Sequence, residues 1–188
     1  SRIRYESWIQ YGYQFFQWGV KPIVRINDRW NMFYDFVPRI GLNNIGWATT
    51  RNDSIIFGSR NVTTVEQTFG SSFIFTPRMS LNLNFRHYWR ALNYNEYFQL
   101  REDGDLTALA EDFKRDLNFN TLNLDLRFSW WFQPGSELVL LYRNTLISYG
   151  DRVDQSYLEN FSNSLTTPST HILSIRLTYF LDYAIFAR

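Results

Sequence analysis

The stretch MSLNLNFRHYWRAL, Met79 to Leu92, alternates apolar and polar side chains with a period of two. One set consists of Met79, Leu81, Leu83, Phe85 and Trp89, and the alternating set of Ser80, Asn82, Asn84, Arg86 and Arg90. Successive side chains of a β-strand point to opposite faces, so this alternation predicts a strand with one apolar and one polar face.

The same period recurs on both sides of this stretch. The pattern predicts seven strands, at residues 3–18, 30–40, 55–75, 79–92, 117–132, 137–147 and 171–183. The first has an extension at 23–26 after a phase change near 19–22, and the third is expected to break near 58–61. The count has an uncertainty of one, because the stretch 3–26 has room for two strands.

The composition fits such two-faced strands. The 188 residues include 17 Phe, 12 Tyr and 7 Trp, or 19% aromatic residues, yet the mean hydropathy is −0.33. No apolar run approaches the roughly 18 residues that a membrane-spanning helix needs. Aromatic and polar residues must therefore be interleaved, which is typical of a transmembrane β-barrel with lipid on one side and a polar lumen on the other.

A soluble β-sandwich also alternates, so three further features decide between the two. The predicted strands are long, up to about 17 residues against about five or six in soluble sheets. The connections at 27–28, 76–78 and 133–136 are short, whereas those at 43–54, 93–115 and 148–169 are long and polar, as on the two rims of a barrel. Aromatic residues gather near predicted strand ends, where interfacial girdles belong, at Trp30, Trp89, Trp130, Trp131 and Tyr149. Together these features favour the barrel.

Closure of the barrel needs more strands than the seven predicted here, because bacterial barrels have an even number and an open edge in lipid is costly. The chain starts at Ser1, without an initiator Met or a signal segment. We therefore expect residues 1–188 to be one domain, the C-terminal portion of a barrel in a processed chain or a fragment, completed by upstream strands.

Four stretches resemble the C-terminal region of a family called domain of unknown function 5916. They are SIIFGSRNVTTVEQTFGSSFIFTPRMSLNLNFRHYW (54–89), YNEYFQLREDGDL (94–106), FNTLNLDLRFSWWFQPGSELVLLYRN (119–144) and TYFLDY (178–183). The resemblance covers about two-thirds of the chain and is strongest in the first and third stretches. It implies an outer-membrane barrel preceded by a domain similar to family-nine carbohydrate-binding modules. It supplies no catalytic residue, because the family has no agreed activity.

No side chain stands out as a catalytic, cofactor-binding or metal site. His87 and His171 lie on the apolar faces of their strands without metal-ligand spacing, so interfacial or loop-adjacent positions are expected. The acidic run 102–105 (EDGD) fails the EF-hand spacing and is expected to be a solvated loop. The nucleophile-elbow, P-loop and dinucleotide motifs are absent, and there is no cysteine. We therefore predict no enzyme activity and no cofactor.

Charged residues are predicted to share the polar face. They are Arg4, Glu6, Asp35, Arg39, Glu66, Arg86, Arg90, Asp125, Arg127, Arg143, Arg176 and Asp182. They would either line an aqueous path or pair with one another across the strands; the mixture of signs favours pairing. With 19 basic and 18 acidic residues, the net charge of +1 gives no basic field for nucleic acid.

These observations predict a barrel in the outer membrane of a Gram-negative bacterium, in contact with the bilayer and lipopolysaccharide. The first hypothesis for its role is an anchor or accessory barrel that interacts with other outer-membrane or periplasmic proteins. The second is a barrel for transport or uptake of small solutes such as oligosaccharides. The third, with the least support, is a hydrolase at the rim.

Overall fold

The computed structural model describes residues 2–10 and 12–181. These residues form ten strands and one helix: β1 (Arg2–Gln10), β2 (Tyr13–Lys21), β3 (Ile23–Asn27), β4 (Trp30–Arg51), β5 (Ser54–Thr76), β6 (Met79–Leu100), β7 (Leu106–Leu109), β8 (Leu117–Gln133), β9 (Ser136–Gly150), α1 (Tyr157–Thr166) and β10 (Thr170–Thr178). The all-β prediction is confirmed. This part of the chain contains no helix long and apolar enough to cross a membrane.

The strands form one antiparallel sheet in the order β1-β2-β4-β5-β6-β8-β9-β10, with β3 beside β4 and β7 beside the end of β6. The eight strands of this path pair in the order in which they follow one another along the chain, so the sheet is an up-and-down meander. The sheet is not closed among the described residues: β1 pairs only with β2, and β10 only with β9. Each of these two strands therefore has one edge open.

The connections fall on two rims of the sheet. One, here called the turn rim, has three two-residue turns at 28–29, 77–78 and 134–135, as the sequence predicted. The opposite rim, the loop rim, carries the segments 101–116 and 151–169, which include β7 and α1. The expected difference between short and long connections is therefore present for these two long segments.

The prediction of one first strand over 3–18 is wrong, and the stretch 3–26 holds more than one strand, as the alternative count allowed. The chain reverses there, and β1 and β2 form a hairpin in which Arg2 is opposite Lys21 and Gln10 opposite Tyr13. Gly12 has φ +81°, a backbone conformation that only glycine adopts at little cost, and so permits the reversal. The alternation runs on through the turn, which hid it from the sequence pattern.

The predicted long connection at 43–54 is also wrong. There β4 continues to Arg51 and turns back into β5 through Asn52 and Asp53, with φ of 47° and 61°. Asn and Asp tolerate positive φ, which a two-residue hairpin turn requires at both positions. Bulges between Gly41 and Asn44 and between Trp47 and Thr49 disturb the alternation, so a polar strand resembled a loop.

Other boundaries also differ. β5 is continuous through the expected break at 58–61, where only its register with β6 shifts, between Ser59 and Arg60. The predicted connections at 93–115 and 148–169 contain the end of β6, β7 and α1. Because β6 extends to Leu100, Trp89 lies within the strand rather than near its end. β10 ends at Thr178, and the prediction for residues 182 and 183 lies outside the described residues.

The two faces predicted for the central strands are confirmed by their register. Leu81, Leu83 and Phe85 are opposite Phe128, Leu126 and Leu124, whereas Asn82, Asn84 and Arg86 are opposite Arg127, Asp125 and Asn123. We call the first set and its neighbours the apolar face and the second set and its neighbours the polar face. On the apolar face, an open hollow lined by Trp30, Ser71, Phe73, Leu81, Leu83 and Leu126 lies towards the turn rim.

Candidate functional site

Helix α1 begins at a well-defined N-cap. The Oγ of Ser156 accepts a hydrogen bond of 3.3 Å from the backbone N–H of Glu159, which satisfies one of the free donors of the first turn. Ser156 and Glu159 have the Ser-x-x-Glu spacing of a capping box. The helix therefore has a local sequence signal for its start.

The helix crosses the strands on the loop-rim half of the apolar face. At its first turn, the Tyr157 ring lies 6.0 Å from that of Phe36 on β4 and 5.7 Å from that of Trp89 on β6. Further along, the Asn160 side chain reaches β8, and a hollow beside the last turn is lined by Ser148 and Tyr149 on β9. The axis thus passes over successive strands instead of following one.

Asparagine side chains join α1 to the sheet. The Oδ1 of Asn160 accepts hydrogen bonds of 3.1 Å from the Nδ2 atoms of both Asn118 and Asn120, and its own Nδ2 donates to Asn120 Oδ1 at 2.6 Å. Trp89 Nε1 donates to Asn118 Oδ1 at 2.8 Å. These buried amides satisfy one another, as polar groups removed from water must.

His87 lies at the centre of this group and is fully buried. Its Nε2 is 3.2 Å from Asn120 Oδ1, and its Nδ1 is 3.4 Å from the Tyr157 hydroxyl and 3.5 Å from Gln67 Nε2. Because Asn120 Oδ1 only accepts, the hydrogen lies on Nε2 and Nδ1 accepts, which is the neutral imidazole. Gln67, His87, Asn118, Asn120, Tyr157 and Asn160 are called the buried network below.

The chemistry of the buried network is that of a structural connection. Burial raises the pKa of Tyr157, and the nearby Tyr34 raises it further. The Tyr157 hydroxyl therefore stays protonated and can donate a hydrogen bond. The hydrogen bonds of His87 to described residues go to amide and phenol groups, whereas a catalytic histidine needs a nucleophile on one side and an orienting acceptor on the other. The network positions α1.

The structure separates the two histidines. β8 and β9 lie between the strands that carry His87 and His171. His171 is exposed, and its Nδ1 is 2.8 Å from the Tyr142 hydroxyl and 3.1 Å from Asn144 Nδ2. They form no shared site.

A cavity lies at the loop rim, where β7 pairs with the end of β6. Its volume is about 650 Å³, and it is lined by Tyr94, Tyr97, Phe98, Lys114 and the carboxylates Glu96, Glu111, Asp112, Asp116 and Asp151, among others. The Tyr94 and Tyr97 rings stack at 5.4 Å. Aromatic rings beside hydrogen-bond acceptors suit a polar small molecule. This space is called the loop cavity below.

The acidic run 102–105 forms a turn at the loop rim. Asp103 Oδ1 accepts from the backbone N–H of Asp105 at 3.1 Å, and Arg101 N donates to the Asp105 carbonyl at 2.9 Å. Within residues 2–10 and 12–181, no group of three or more His, Asp or Glu side chains is placed to hold a metal ion. The carboxylate of Asp103 supports the turn itself.

Charges on the polar face form ion pairs between strands, most of them neighbours; Arg4 reaches across β2 to Asp35. Ion pairs connect Arg4 with Asp35 at 3.5 Å, Lys21 with Asp35 at 3.4 Å, Arg39 with Glu66 at 3.0 Å, Asp125 with Arg143 at 2.6 Å and Glu137 with Arg176 at 3.0 Å. The ion pairs found among the described residues include none with Glu6, Arg86, Arg90 or Arg127. Asp182 lies outside the described residues.

The predictions from the sequence include neither α1 nor the buried network. Two signals point to them: the Ser-x-x-Glu capping box at Ser156, and the polar residues Asn118 and Asn120 in line with the apolar Leu122 and Leu124 of β8. A polar interruption at the end of an apolar face indicates that something covers it.

An antiparallel meander with an uncovered apolar face and a helix across one end thus defines the architecture. Residues 1–187 match the family described as domain of unknown function (DUF5916), and the chain belongs to that family. The match extends beyond the stretches that carried the resemblance. Neither the curated proteins nor the solved structures include one that matches the chain.

Proposed function

We propose that this chain forms part of the wall of a β-barrel in the outer membrane of a Gram-negative bacterium, in contact with lipid and lipopolysaccharide. The apolar face between the turn rim and α1 carries this proposal. Its side chains include Leu81, Leu83, Leu124 and Leu126, which are only half-buried, and Leu173, Ile175 and Leu177 on the open strand β10, which are 65–70% exposed. An apolar surface of this extent is unfavourable in water and favourable in a bilayer.

The height of this surface suits a membrane. On β8, its apolar side chains run from Leu122 to Trp130, nine residues. At roughly 3.3 Å a residue and a tilt of about 40°, they span about 20–25 Å, close to the apolar band of about 25 Å on outer-membrane barrels. Trp30 and Trp130 lie on the apolar face towards the turn rim, where one aromatic girdle would be, whereas Trp131 lines a hollow with Asn82, Arg127 and Ser129 on the polar face.

The open edges of β1 and β10 require further strands in a membrane. An unpaired backbone N–H or carbonyl in hydrocarbon costs several kcal/mol. We therefore propose that additional strands of the same barrel pair with both edges. Outer-membrane fractions that lack the protein, or protein released from membranes by alkaline carbonate, would contradict the membrane location.

Within such a barrel, the polar face supports an anchor or accessory role with other envelope proteins as partners and without catalysis. Its ion pairs connect β1, β2, β4 and β5 with one another, and β8, β9 and β10 with one another, whereas Arg86, Arg90 and Arg127 are in none of the ion pairs found among the described residues. Charges that satisfy one another stabilise a narrow lumen rather than select a solute. The complete protein, reconstituted in planar bilayers, is expected to give no stable conductance.

The loop cavity favours a second function, uptake of a small polar solute such as an oligosaccharide. Its tyrosine rings and carboxylates could hold hydroxyl groups at the mouth of the barrel. This function predicts stable single-channel conductance and its partial block by the solute. Tyr97→Ala should weaken the block, whereas Trp47→Ala, an exposed aromatic outside the cavity, should leave it unchanged.

A further inference from the structure

The polar members of the buried network lie on the apolar face. Gln67, His87, Asn118 and Asn120 are each at most 7% exposed. His87 follows Leu83 and Phe85 on the same side of β6, and Asn120 precedes Leu122 and Leu124 on the same side of β8. If the apolar face is directed to lipid, as proposed above, these groups would also face lipid without a cover, at a cost of several kcal/mol each.

Helix α1 is that cover. Its Tyr157 and Asn160 side chains make the hydrogen bonds to the sheet, and Phe161 lies 5.0 Å from the His87 ring and 6.3 Å from the Phe85 ring. Because the helix crosses the strands, its axis lies nearly parallel to a membrane that the strands span. Helix α1 lies at the loop-rim end of the apolar band, which in such a barrel would be at the level of the outer-leaflet interface.

Two leucines on α1 remain exposed. Leu158 is 76% and Leu165 62% exposed, and they are seven residues apart, or about two turns, so they share one side of the helix. At about 100° per residue, both lie roughly 40–60° around the axis from Phe161, on the side away from Asn160. The exposed leucines therefore form a row beside Phe161.

The contacts of α1 show which way this row points. Asn160 bonds to Asn118 near the start of β8, close to the loop rim. Phe161 approaches Phe85, which is nearer to the turn rim than His87 and Trp89 on β6. The flank with Phe161, Leu158 and Leu165 thus faces the apolar band, and the opposite flank, with Glu159 and the exposed Asn163, faces away from it.

We propose that α1 is an interfacial helix, which seals the buried network from lipid and inserts Leu158 and Leu165 into the boundary between headgroups and acyl chains of the outer leaflet. Amphipathic helices at an interface bury their apolar side about 5–10 Å in this way. This inference rests on the proposed membrane location and adds a lipid-binding surface outside the strands. The partner is the lipid surface itself.

The absence of cysteine in these residues permits a direct test by site-directed spin labelling. Single variants Leu158→Cys, Leu165→Cys and Asn163→Cys are labelled in the complete protein, with any cysteine elsewhere replaced by serine. Leu83→Cys serves as the reference for the apolar band. The protein is reconstituted in phosphatidylcholine–phosphatidylglycerol vesicles, and collision with oxygen and with a water-soluble nickel complex is measured for each label.

The inference predicts that the ratio of oxygen to nickel accessibility is several-fold higher at positions 158 and 165 than at 163, and highest at 83. Equal ratios at 158, 165 and 163, with a lipid-exposed label at 83, would overturn the inference and leave the barrel standing. Labels at 158 and 165 that are shielded from both reagents would also overturn it, because α1 would then be enclosed by protein. A water-exposed label at 83 would overturn the proposed membrane location.

Discussion

The two halves of the apolar face are built for different surroundings. Towards the turn rim, leucine and phenylalanine side chains stand in register on β6 and β8, and nothing among the described residues covers them. Towards the loop rim, the same strands carry His87, Asn118 and Asn120 at alternate positions, and α1 lies over them. One pleated sheet thus presents an apolar surface to its surroundings and, a few residues further on, a polar surface to its own helix.

The difference shows that the surroundings of a strand face decide which side chains it can carry. A period of two specifies only that side chains share a face, whereas burial decides whether a polar member is tolerated there. Asn120 and Leu124 are on the same face of the same strand. A hydrogen-bonding partner 40 residues away makes the first position possible.

The largest loss of stability is expected for a substitution where the covered half is packed most tightly. Trp89 is 4% exposed, contacts Tyr157 and donates to Asn118. Trp89→Ala should lower the free energy of unfolding by about 3–5 kcal/mol, the usual cost of a large buried aromatic. Urea unfolding in lipid vesicles measures it, with the 60% exposed Trp47 as the control. A loss for Trp47→Ala as large as that for Trp89→Ala would show that burial under α1 is not the cause.

The assignment of the two faces in the uncovered half is tested by placing an arginine on the apolar face and, separately, on the polar face. Leu124→Arg, and likewise Leu83→Arg, should cost about 2–4 kcal/mol, because each places a cation in the middle of the band that we propose to face lipid. Asn123→Arg and Asn84→Arg, each one residue away on the polar face, should be mild. Folding yields and urea titrations in vesicles compare the pairs, and equal losses at neighbouring positions would contradict the assignment of the faces.

The attachment of α1 to the covered half depends on Asn160. Asn160→Ala leaves the Nδ2 groups of Asn118 and Asn120 without their acceptor on α1, and an unsatisfied buried group costs about 1–3 kcal/mol. Protease cleavage within 151–169 should become faster, since the helix loses its attachment. The matched variant is Asn163→Ala on the exposed side, which should not speed cleavage, because Ala has a higher helix propensity than Asn. Cleavage that is just as fast there would contradict the role of the Asn160 hydrogen bonds.

The smallest loss of stability is expected for a substitution on the polar face. Glu66→Gln removes the ion pair with Arg39, in which each side chain is about 30% exposed. A partly exposed pair contributes at most about 1 kcal/mol, and salt screens it. Unfolding at low and high ionic strength should show a small difference that shrinks with salt. A loss above about 2 kcal/mol, well beyond that range, would mean that the lumen is drier than this account holds.

The sequence was sufficient where local pattern decides the structure. The strands around Leu83 and Leu124 and the three turns of the turn rim agree with the predictions, because alternation and turn residues are local signals. Asn52 and Asp53 also form a local turn signal, but bulges in β4 obscured the strand that leads to it. The helix had a readable cap in Ser156, whereas the buried network joins residues 40 positions apart, which no periodicity reveals.

The central claim is that the uncovered half of the apolar face is a membrane surface. The most direct measurement is the state of the complete protein after detergent is removed, followed by light scattering, with and without lipid. We expect the protein to aggregate in plain buffer and to return to a single folded species, with heat-modifiable migration on gels, when detergent or vesicles are present. A monodisperse, folded protein in plain buffer would contradict it.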